Sequence, residues 1–275
     1  MTQAPKLIHL HGQPIAGGAL PLICTPLIAR TTDALLAELA AVLPKMPDLI
    51  EWRVDFFDGI ADTAMVVETA RALKASAGAI PILFTRRSNR EGGQRIALDE
   101  AGVVRLYEAV CEQGSIDLID YEMCNDAHDF ARLRSASRAQ GIVLVASYHN
   151  FQATPDAAAL VNKFAQAEQL GADVAKLAVM PQGPQDVLTL LAATHTASQT
   201  LQLPLISMSM GAYGSLSRMM GWVYGSTVTF AVGQSSSAPG QLPIDELRSA
   251  LDAVRRALSG APEGGSASLD LQAST

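Results

Sequence analysis

Cysteine is scarce in this chain of 275 residues, which has three, Cys24, Cys111 and Cys124, and no CxxC pair. Such few and widely separated cysteines favour reduced thiols in a cytoplasmic protein over a disulfide framework. A basic N-terminal segment followed by an apolar run is also missing, so we expect no secretory signal.

Long apolar runs and basic clusters are absent from the sequence as well. No uninterrupted apolar stretch approaches the ~18 residues that a membrane-spanning helix needs, so a soluble protein is expected. The 20 basic residues are outnumbered by 27 acidic ones, and no run is rich in Lys and Arg. The net charge of −7 argues against a nucleic-acid binder. With 49% hydrophobic residues, the chain can still bury a substantial core.

Apolar, strand-like segments alternate with amphipathic helical segments rich in Ala and Leu. The pattern predicts strands at residues 22–28, 49–57, 80–85, 117–123, 142–148, 174–180, 205–210 and 228–232. It predicts helices at residues 32–43, 62–75, 98–113, 126–140, 155–170, 184–199 and 244–258. Alternation of this kind, with about 30 residues per unit, indicates parallel βα units.

Eight βα units in a chain of this length predict an α/β fold of the closed (β/α)₈ (TIM) barrel type. A doubly wound open sheet is the alternative, but no G-x-G-x-x-G turn follows the first strand. Residues 6–15 alternate weakly and predict an N-terminal β-hairpin. We therefore expect residues 1–260 to form one barrel domain that includes the hairpin. Residues 261–275, which have no hydrophobic period, are expected to be a disordered tail.

Lys176 is the only charged residue within an apolar strand bounded by Gly171 and Pro181. Burial of the ammonium group would lower its pKa and make the neutral amine available. A neutral buried amine attacks a carbonyl group to form a Schiff base. The alternative is a lysine at a strand end, whose stem lies along apolar surface while its head reaches water.

Polar side chains occupy alternate positions at the ends of several other predicted strands. Because both faces of a parallel sheet are buried, polar positions on these strands are unusual. Residues 52, 54 and 56 are apolar and are expected to face the helices. The alternating polar sets are Glu51, Arg53 and Asp55, then Thr85 and Arg87, then Ser147 and His149. They predict a polar pocket at the C-terminal mouth of the barrel, with internal salt bridges as the alternative.

Two of the polar residues suit proton transfer. His149 lies at its strand end and can serve as a general acid and base near neutral pH. Glu91, in the loop of residues 88–93, can orient the imidazole through its second ring nitrogen. The alternatives are a structural histidine and a solvated surface glutamate.

Two late segments are candidates for binding a ligand. Arg218 follows residues 208–211 through a flexible turn and can hold a substrate carboxylate with two hydrogen bonds. An exposed helical arginine is the alternative. Residues 235–241, small and polar, can bring hydroxyl and amide groups over a ligand as a lid. The alternative is a plain flexible linker, which would have the same composition.

Taken together, these segments resemble type I 3-dehydroquinate dehydratases, over residues 21–258. The matching motifs are EWRVD at 51–55, LFTRRS at 83–88 with EGG at 91–93, SYHNF at 147–151, AKLAVM at 175–180, MSMG at 208–211 and SAPGQ at 237–241. Each motif falls at a predicted strand end or loop, and all six occur in the order expected of the family.

The resemblance implies a (β/α)₈ barrel that dehydrates 3-dehydroquinate without a metal or organic cofactor, and a homodimer. It implies Lys176 as the Schiff-base lysine, His149 as the general acid/base and Glu91 as the group that positions His149. The substrate-binding residues that it implies are Thr25, Glu51, Arg53, Arg87, Met210, Arg218, Ser237 and Gln241. A class I aldolase on the same barrel and a catalytically silent binding barrel remain alternatives.

Overall fold

A computed structural model describes residues 6–15, 20–234 and 237–259 of the chain. The predicted N-terminal hairpin is present, with β1 His9–Leu10 antiparallel to β2 Gln13–Pro14. The predicted tail, residues 261–275, lies outside the described residues. The boundaries of the single domain stay a prediction.

The predicted barrel is confirmed. Its strands are β3 Leu22–Leu27, β4 Leu49–Arg53, β5 Ile82–Thr85, β6 Leu118–Glu122, β7 Val143–Asn150, β8 Val174–Val179, β9 Leu205–Ser209 and β10 Val228–Val232, and a short strand, β11 Leu242–Pro243, is added beside β10. The helices are α1 Thr32–Val42, α2 Thr63–Ala77, α3 Glu100–Glu112, α4 Ala127–Ala139, α5 Ala157–Gln169, α6 Pro184–Thr200, α7 Gly214–Met220 and α8 Ile244–Ser259.

Parallel pairing runs continuously from β10 through β3 to β9. The sheet then closes between β9 and the residues before β10, where Leu205 and Ser226 form a parallel bridge. The amide of Thr227 also donates to the carbonyl of Leu205 at 2.7 Å. Every carboxyl end of a barrel strand therefore lies at the same rim, which is where (β/α)₈ enzymes build their sites.

The barrel has apolar layers on both sides of its sheet. Between sheet and helices, aromatic side chains pack edge to face, with centroids 5.4 Å apart for Trp52 and Phe84 and 5.0 Å apart for Phe84 and Tyr107. Inside the barrel, a smaller apolar cluster includes Ile8 and Leu10 of the N-terminal segment. The hairpin segment thus helps to fill the amino-terminal end of the barrel, and polar groups collect at the other end.

The structure corrects the predicted strand of residues 49–57. The strand ends at Arg53, and a turn of 3₁₀ helix follows at Val54–Phe56. Phe57, rather than Phe56, joins the core on the helix side. The charged side chain of Asp55 explains the early end, because it turns back to bind both Arg53 and the backbone amide of Arg87.

Helix α7 was not predicted, because the sequence there indicated a flexible turn. The helix has seven residues, which is too short for a clear hydrophobic period. Gly214 permits its close approach to β9, since a Cβ atom at this position would lie 2.2 Å from the carbonyl oxygen of Ser209. Within the described ranges, no helix is both long enough and apolar enough to span a bilayer.

Candidate active site

A polar cavity lies at the carboxyl ends of the barrel strands. Glu51 and Arg53 reach it from β4, His149 from β7 and Lys176 from β8. The structure brings most of the predicted site residues to this one cavity, whose lining includes Glu51, Arg53, Arg87, Glu91, His149, Lys176, Met210, Arg218, Ser237 and Gln241.

Lys176 is inside the barrel, with a residue exposure of 3%. Its Nζ lies 2.9 Å from Oδ2 of Asp120 and 3.2 Å from Oε1 of Glu51. The same nitrogen sits over the ring of Phe230, 4.6 Å from the centroid. The amine is therefore buried and bound on several sides, and the alternative of a solvated strand-end lysine is wrong.

The prediction that the pKa of Lys176 falls is also wrong. Burial does act to lower the pKa, but the carboxylates of Asp120 and Glu51 outweigh it and raise the pKa above its usual value. The apolar neighbours along β8 predict a lower pKa, but the two anions reach the amine from β4 and β6, which do not pair with β8. In the free protein, Lys176 is an ammonium ion.

Arg87 is the centre of a second set of buried charges. Its guanidinium lies 2.7 Å from Oδ1 of Asp120 and 3.0 Å from Oε1 of Glu122, and it donates to Oγ of Ser147 at 2.9 Å. These anions raise the pKa of Arg87, against the effect of burial. In turn, although burial opposes it, the charges of Arg87 and Lys176 hold the pKa of Asp120 well below its usual range.

His149 and Glu91 form the predicted pair. Nδ1 of the imidazole lies 2.8 Å from Oε2 of Glu91, and the backbone amide of His149 donates to the same oxygen at 3.0 Å. In the tautomer with the proton on Nδ1, the Nδ1–H group donates a hydrogen bond to Glu91, and Nε2 is free to accept a proton. Burial, and then the charges of Arg87 and Lys176, hold the pKa of His149 well below its usual value, so the ring is neutral at pH 7.

Glu91 has an unusual environment for a carboxyl group. Its side chain is 5% exposed. Burial, followed by the negative charge of Glu122, raises its pKa to about 7, while Arg87 opposes the shift. The alternative of a solvated surface glutamate is therefore wrong, and Glu91 changes its charge within the neutral range.

Arg53 and Glu51 are fixed before any ligand binds. Arg53 forms two 2.8 Å hydrogen bonds to the carboxylate of Asp55, with Nε and Nη2 as donors. Glu51 accepts from Oγ1 of Thr85 at 3.0 Å, in addition to its contact with Lys176. Both side chains are thereby held in one orientation toward the cavity.

Arg218 is a buried arginine without a carboxylate among its described partners. It is 1% exposed, and burial lowers its pKa to about 10. Its guanidinium donates to the carbonyl oxygen of Gly240 at 3.0 Å and to that of Pro239 at 3.3 Å. The alternative of an exposed helical arginine is wrong: α7 carries this residue inward, where its charge can meet an anion.

The segment after β10 covers one side of the cavity. Gln241 accepts from the amide of Ser237 at 3.2 Å through Oε1 and donates to Oγ of Ser237 at 3.4 Å. Two features at position 240 favour glycine. Its φ of +80° lies in the left-handed region, and a Cβ atom there would lie 2.0 Å from the carbonyl oxygen of Gly211. Ser235 and Ser236 of the predicted lid lie outside the described residues.

Thr25 is the predicted site residue that the structure does not bring to the cavity wall. It is fully buried in β3, and its hydroxyl donates to the carbonyl of Ala231 at 3.1 Å. In the structure it therefore joins β3 to β10.

Asp120 and Glu122 are site residues that the sequence reasoning missed. They stand at alternate positions of β6, as Glu51 and Arg53 do in β4, and both are buried. The same signal of alternating charge was therefore present in the predicted strand of residues 117–123.

One cluster has groups of the kind that bind metal ions. Among the described residues, ligand atoms of Glu91, Glu122 and Cys124 lie within 4.8 Å of one another. The two carboxylates already bind His149 and Arg87, and burial raises the pKa of the Cys124 thiol to about 12. These interactions account for the cluster without a metal ion.

Comparison with known proteins agrees with this geometry. Residues 23–257 match the family model of the type I 3-dehydroquinases. The 3-dehydroquinate dehydratase of Albidiferax ferrireducens is 59% identical over 256 residues, covering 93% of this chain and 97% of that protein.

Solved structures show the same similarity. The 3-dehydroquinate dehydratase of Geobacillus kaustophilus superimposes with a TM-score of 0.89 at 48% identity, covering 92% of this chain and 98% of the other. The type I enzyme of Clostridium difficile, whose structure contains covalently modified comenic acid, superimposes with a TM-score of 0.87 at 32% identity, covering 92% of this chain and 99% of the other. This chain belongs to the type I 3-dehydroquinase family.

Proposed function

We propose that this chain is a hydro-lyase of the shikimate pathway that converts 3-dehydroquinate to 3-dehydroshikimate and water through a Schiff base on Lys176. The observation that carries this proposal is the buried Lys176 amine in the same cavity as the His149–Glu91 pair. An aldolase would also use the lysine, but the buried Arg218, which has no carboxylate partner among the described residues, favours a substrate that bears a carboxylate.

The first step joins the lysine to the ketone. Since Lys176 is an ammonium ion in the free protein, its nitrogen must lose a proton before it attacks. His149, which is neutral and lines the same cavity, is our candidate for the group that accepts this proton. Attack gives a carbinolamine, and loss of its hydroxyl as water gives a protonated imine. Asp120 and Glu51 then stabilise the positive charge of the iminium.

The second stage removes water from the ring. The iminium withdraws electrons, so the α-proton can pass to Nε2 of neutral His149 with formation of an enamine. The enamine expels the β-hydroxyl, which receives a proton from the imidazolium and leaves as water. Hydrolysis of the conjugated imine releases the enone and restores the amine. Glu91 holds the imidazole throughout through its contact with Nδ1.

The remaining residues bind and orient the substrate. Arg218 would bind the carboxylate, since its guanidinium is buried and desolvated. Arg53, Arg87 and Glu51 also line the cavity and would bind ring hydroxyl groups. Met210 would form a wall, and Ser237 and Gln241 would close over the ligand. This assignment needs no metal ion or organic cofactor.

The proposal is tested by trapping the imine. Borohydride added with 3-dehydroquinate should attach the reduced ligand to the peptide that carries Lys176, as measured by mass spectrometry. Lys176→Met should abolish both trapping and the enone absorbance of the product. Lys163→Met is the matched control, because Lys163 lies on α5 and binds Gln166 outside the cavity. Turnover without label on Lys176 would refute the imine mechanism, and no turnover would refute the function.

We further propose that the chain is a homodimer in the cytoplasm. Large apolar side chains of α6, α7, residues 221–224 and the residue before α7 are exposed on neighbouring elements, namely Leu188, Tyr213, Leu216, Met220 and Val223. A second copy would cover them. The free thiols of Cys24, Cys111 and Cys124 support a reducing compartment. Sedimentation should give twice the chain mass for the protein and a lower mass for Leu216→Glu, whereas the control Met65→Glu should stay dimeric.

A further inference from the structure

The buried charges around the catalytic lysine do not balance within the described part of the chain. When all are ionised, the group linked by ion pairs has two more anions than cations; the closed Arg53–Asp55 pair and Arg218, which has no carboxylate among its described partners, stand outside this group. The anions are Glu51, Glu91, Asp120 and Glu122, and the cations are Arg87 and Lys176. Because excess buried charge is unfavourable, the carboxyl group with the weakest cationic partner is the one that most readily takes a proton.

The distances identify that group as Glu91. Arg87 lies 2.7 Å from Asp120 and 3.0 Å from Glu122, but its Nη1 is 3.7 Å from Oε2 of Glu91. Glu122 is held firmly in its position, because it also accepts from the amide of Ser88 at 2.7 Å. Glu122 thus occupies the side of the guanidinium that would otherwise be available to Glu91.

We propose that Glu122 is a positioning residue of this site: it keeps Arg87 bound away from Glu91 and leaves His149 as the close partner of the Glu91 carboxylate. The inference rests on the proposed function, in which Glu91 holds the imidazole. Glu122 does not line the cavity, but through Glu91 it would influence the pH range in which His149 acts as a base.

The groups that face Glu91 support this role. Arg87 approaches from the end of β5, Asp120 and Glu122 from β6, Cys124 from the loop after β6, and His149 from β7. Burial and then Glu122 raise the pKa of Glu91 to about 7, and Arg87 acts in the opposite direction. Above this pH, the ionised carboxylate accepts a hydrogen bond from Nδ1–H and makes the imidazole a stronger base. Below it, Glu91 is neutral and the imidazole is a weaker base.

The first test is the pH profile of kcat with 3-dehydroquinate. Glu122→Gln keeps the shape of the side chain but removes the charge that opposes ionisation of Glu91. The acidic limb should therefore move to lower pH, by about one unit. Glu122→Asp, which restores a carboxylate, should return the limb toward its original position. Glu112→Gln, an exposed carboxylate on α3, is the matched control and should leave the profile unchanged.

A second variant tests the same interaction with the opposite sign. Cys124 is exposed, and its Sγ belongs to the cluster with Glu91 and Glu122, so Cys124→Asp adds an anion without changing the core. The acidic limb should then move to higher pH, while Cys124→Ser should leave it in place. This variant also tests the inference if Glu122→Gln does not fold.

Two outcomes would overturn the inference. One is an acidic limb that stays in place in both charge variants, and the other is a uniform fall of kcat in Glu122→Gln at every pH, which indicates a purely structural role. NMR titration of the His149 imidazole gives a readout that does not need turnover. If the wild-type protein shows no turnover, the proposed function fails, whereas an unshifted imidazole titration in Glu122→Gln would refute the positioning role separately.

Discussion

Replacement of Asp120 tests the charge arrangement around Lys176 directly. Its carboxylate is fully buried, lies 2.9 Å from Nζ, and is the first of the two anions that raise the pKa of the lysine. Asp120→Asn keeps the size of the side chain and removes its charge. Burial and the nearby Arg87 both act to lower the pKa of Lys176, and Glu51 alone opposes them less effectively. The pKa of Lys176 should therefore fall.

The size of the shift follows from the distance. For charges 2.9 Å apart, Coulomb's law at an effective dielectric constant of about 20 gives an upper limit of roughly 6 kcal/mol. One pKa unit corresponds to about 1.4 kcal/mol. Because Glu51 can move closer to the amine and share the charge, we expect a fall of about one to two units. Loss of a buried partner should also destabilise the fold by about 3–5 kcal/mol.

Borohydride trapping of 3-dehydroquinate on Lys176, measured by mass spectrometry across a pH series, gives the assay. In Asp120→Asn, half-maximal trapping should occur at a pH about one to two units below that of the wild type. Asp55→Asn is the control, because it breaks the buried pair with Arg53 without a described contact to Lys176. Its trapping midpoint should stay in place. An unshifted midpoint in Asp120→Asn would refute the electrostatic reasoning, provided that melting curves show both variants folded.

Other residues give further predictions. His149→Ala should form the imine more slowly, since the proton acceptor for Lys176 is lost, and should lose about 10²–10⁴-fold in kcat, measured by trapping and by enone absorbance; near-normal turnover would contradict its role. Arg218→Ala should raise KM by the equivalent of roughly 2–5 kcal/mol, since a buried charge pair with the carboxylate is lost, and an unchanged KM would argue against it. Glu91, whose pKa is raised to about 7, contributes stability that is present below its unfolded value and is lost as pH rises through 7. Glu91→Gln should therefore lose less stability than the wild type between pH 5 and 8, in urea unfolding, by roughly 2–3 kcal/mol.

The fold was predictable because the signals for it are local. Each strand is an apolar run, each helix has its own period, and the eight repeats leave few topologies open. The errors occurred where a tertiary contact overrides the local pattern. Asp55 ends β4 early by binding Arg53 and the amide of Arg87, and α7 is held against β9 by the close approach that Gly214 allows.

The site was predictable in its residue types and less so in its charge states. Alternating charge in buried strands identified Glu51, Arg53 and His149, since charged residues are rarely placed there without a reason. The same signal at Asp120 and Glu122 was overlooked, although these residues help to raise the pKa values of Lys176, Arg87 and Glu91.

The sequence by itself determined the barrel, the end of the barrel at which polar groups gather, and the placement of Lys176 and His149 at that end, because these follow from hydrophobic period and strand order. Only the tertiary structure decided that the lysine is charged, that Glu91 titrates near pH 7 and that Arg218 is buried. The physical reason is that a pKa depends on the distances to charges from other strands, and these distances exist only after the sheet has closed.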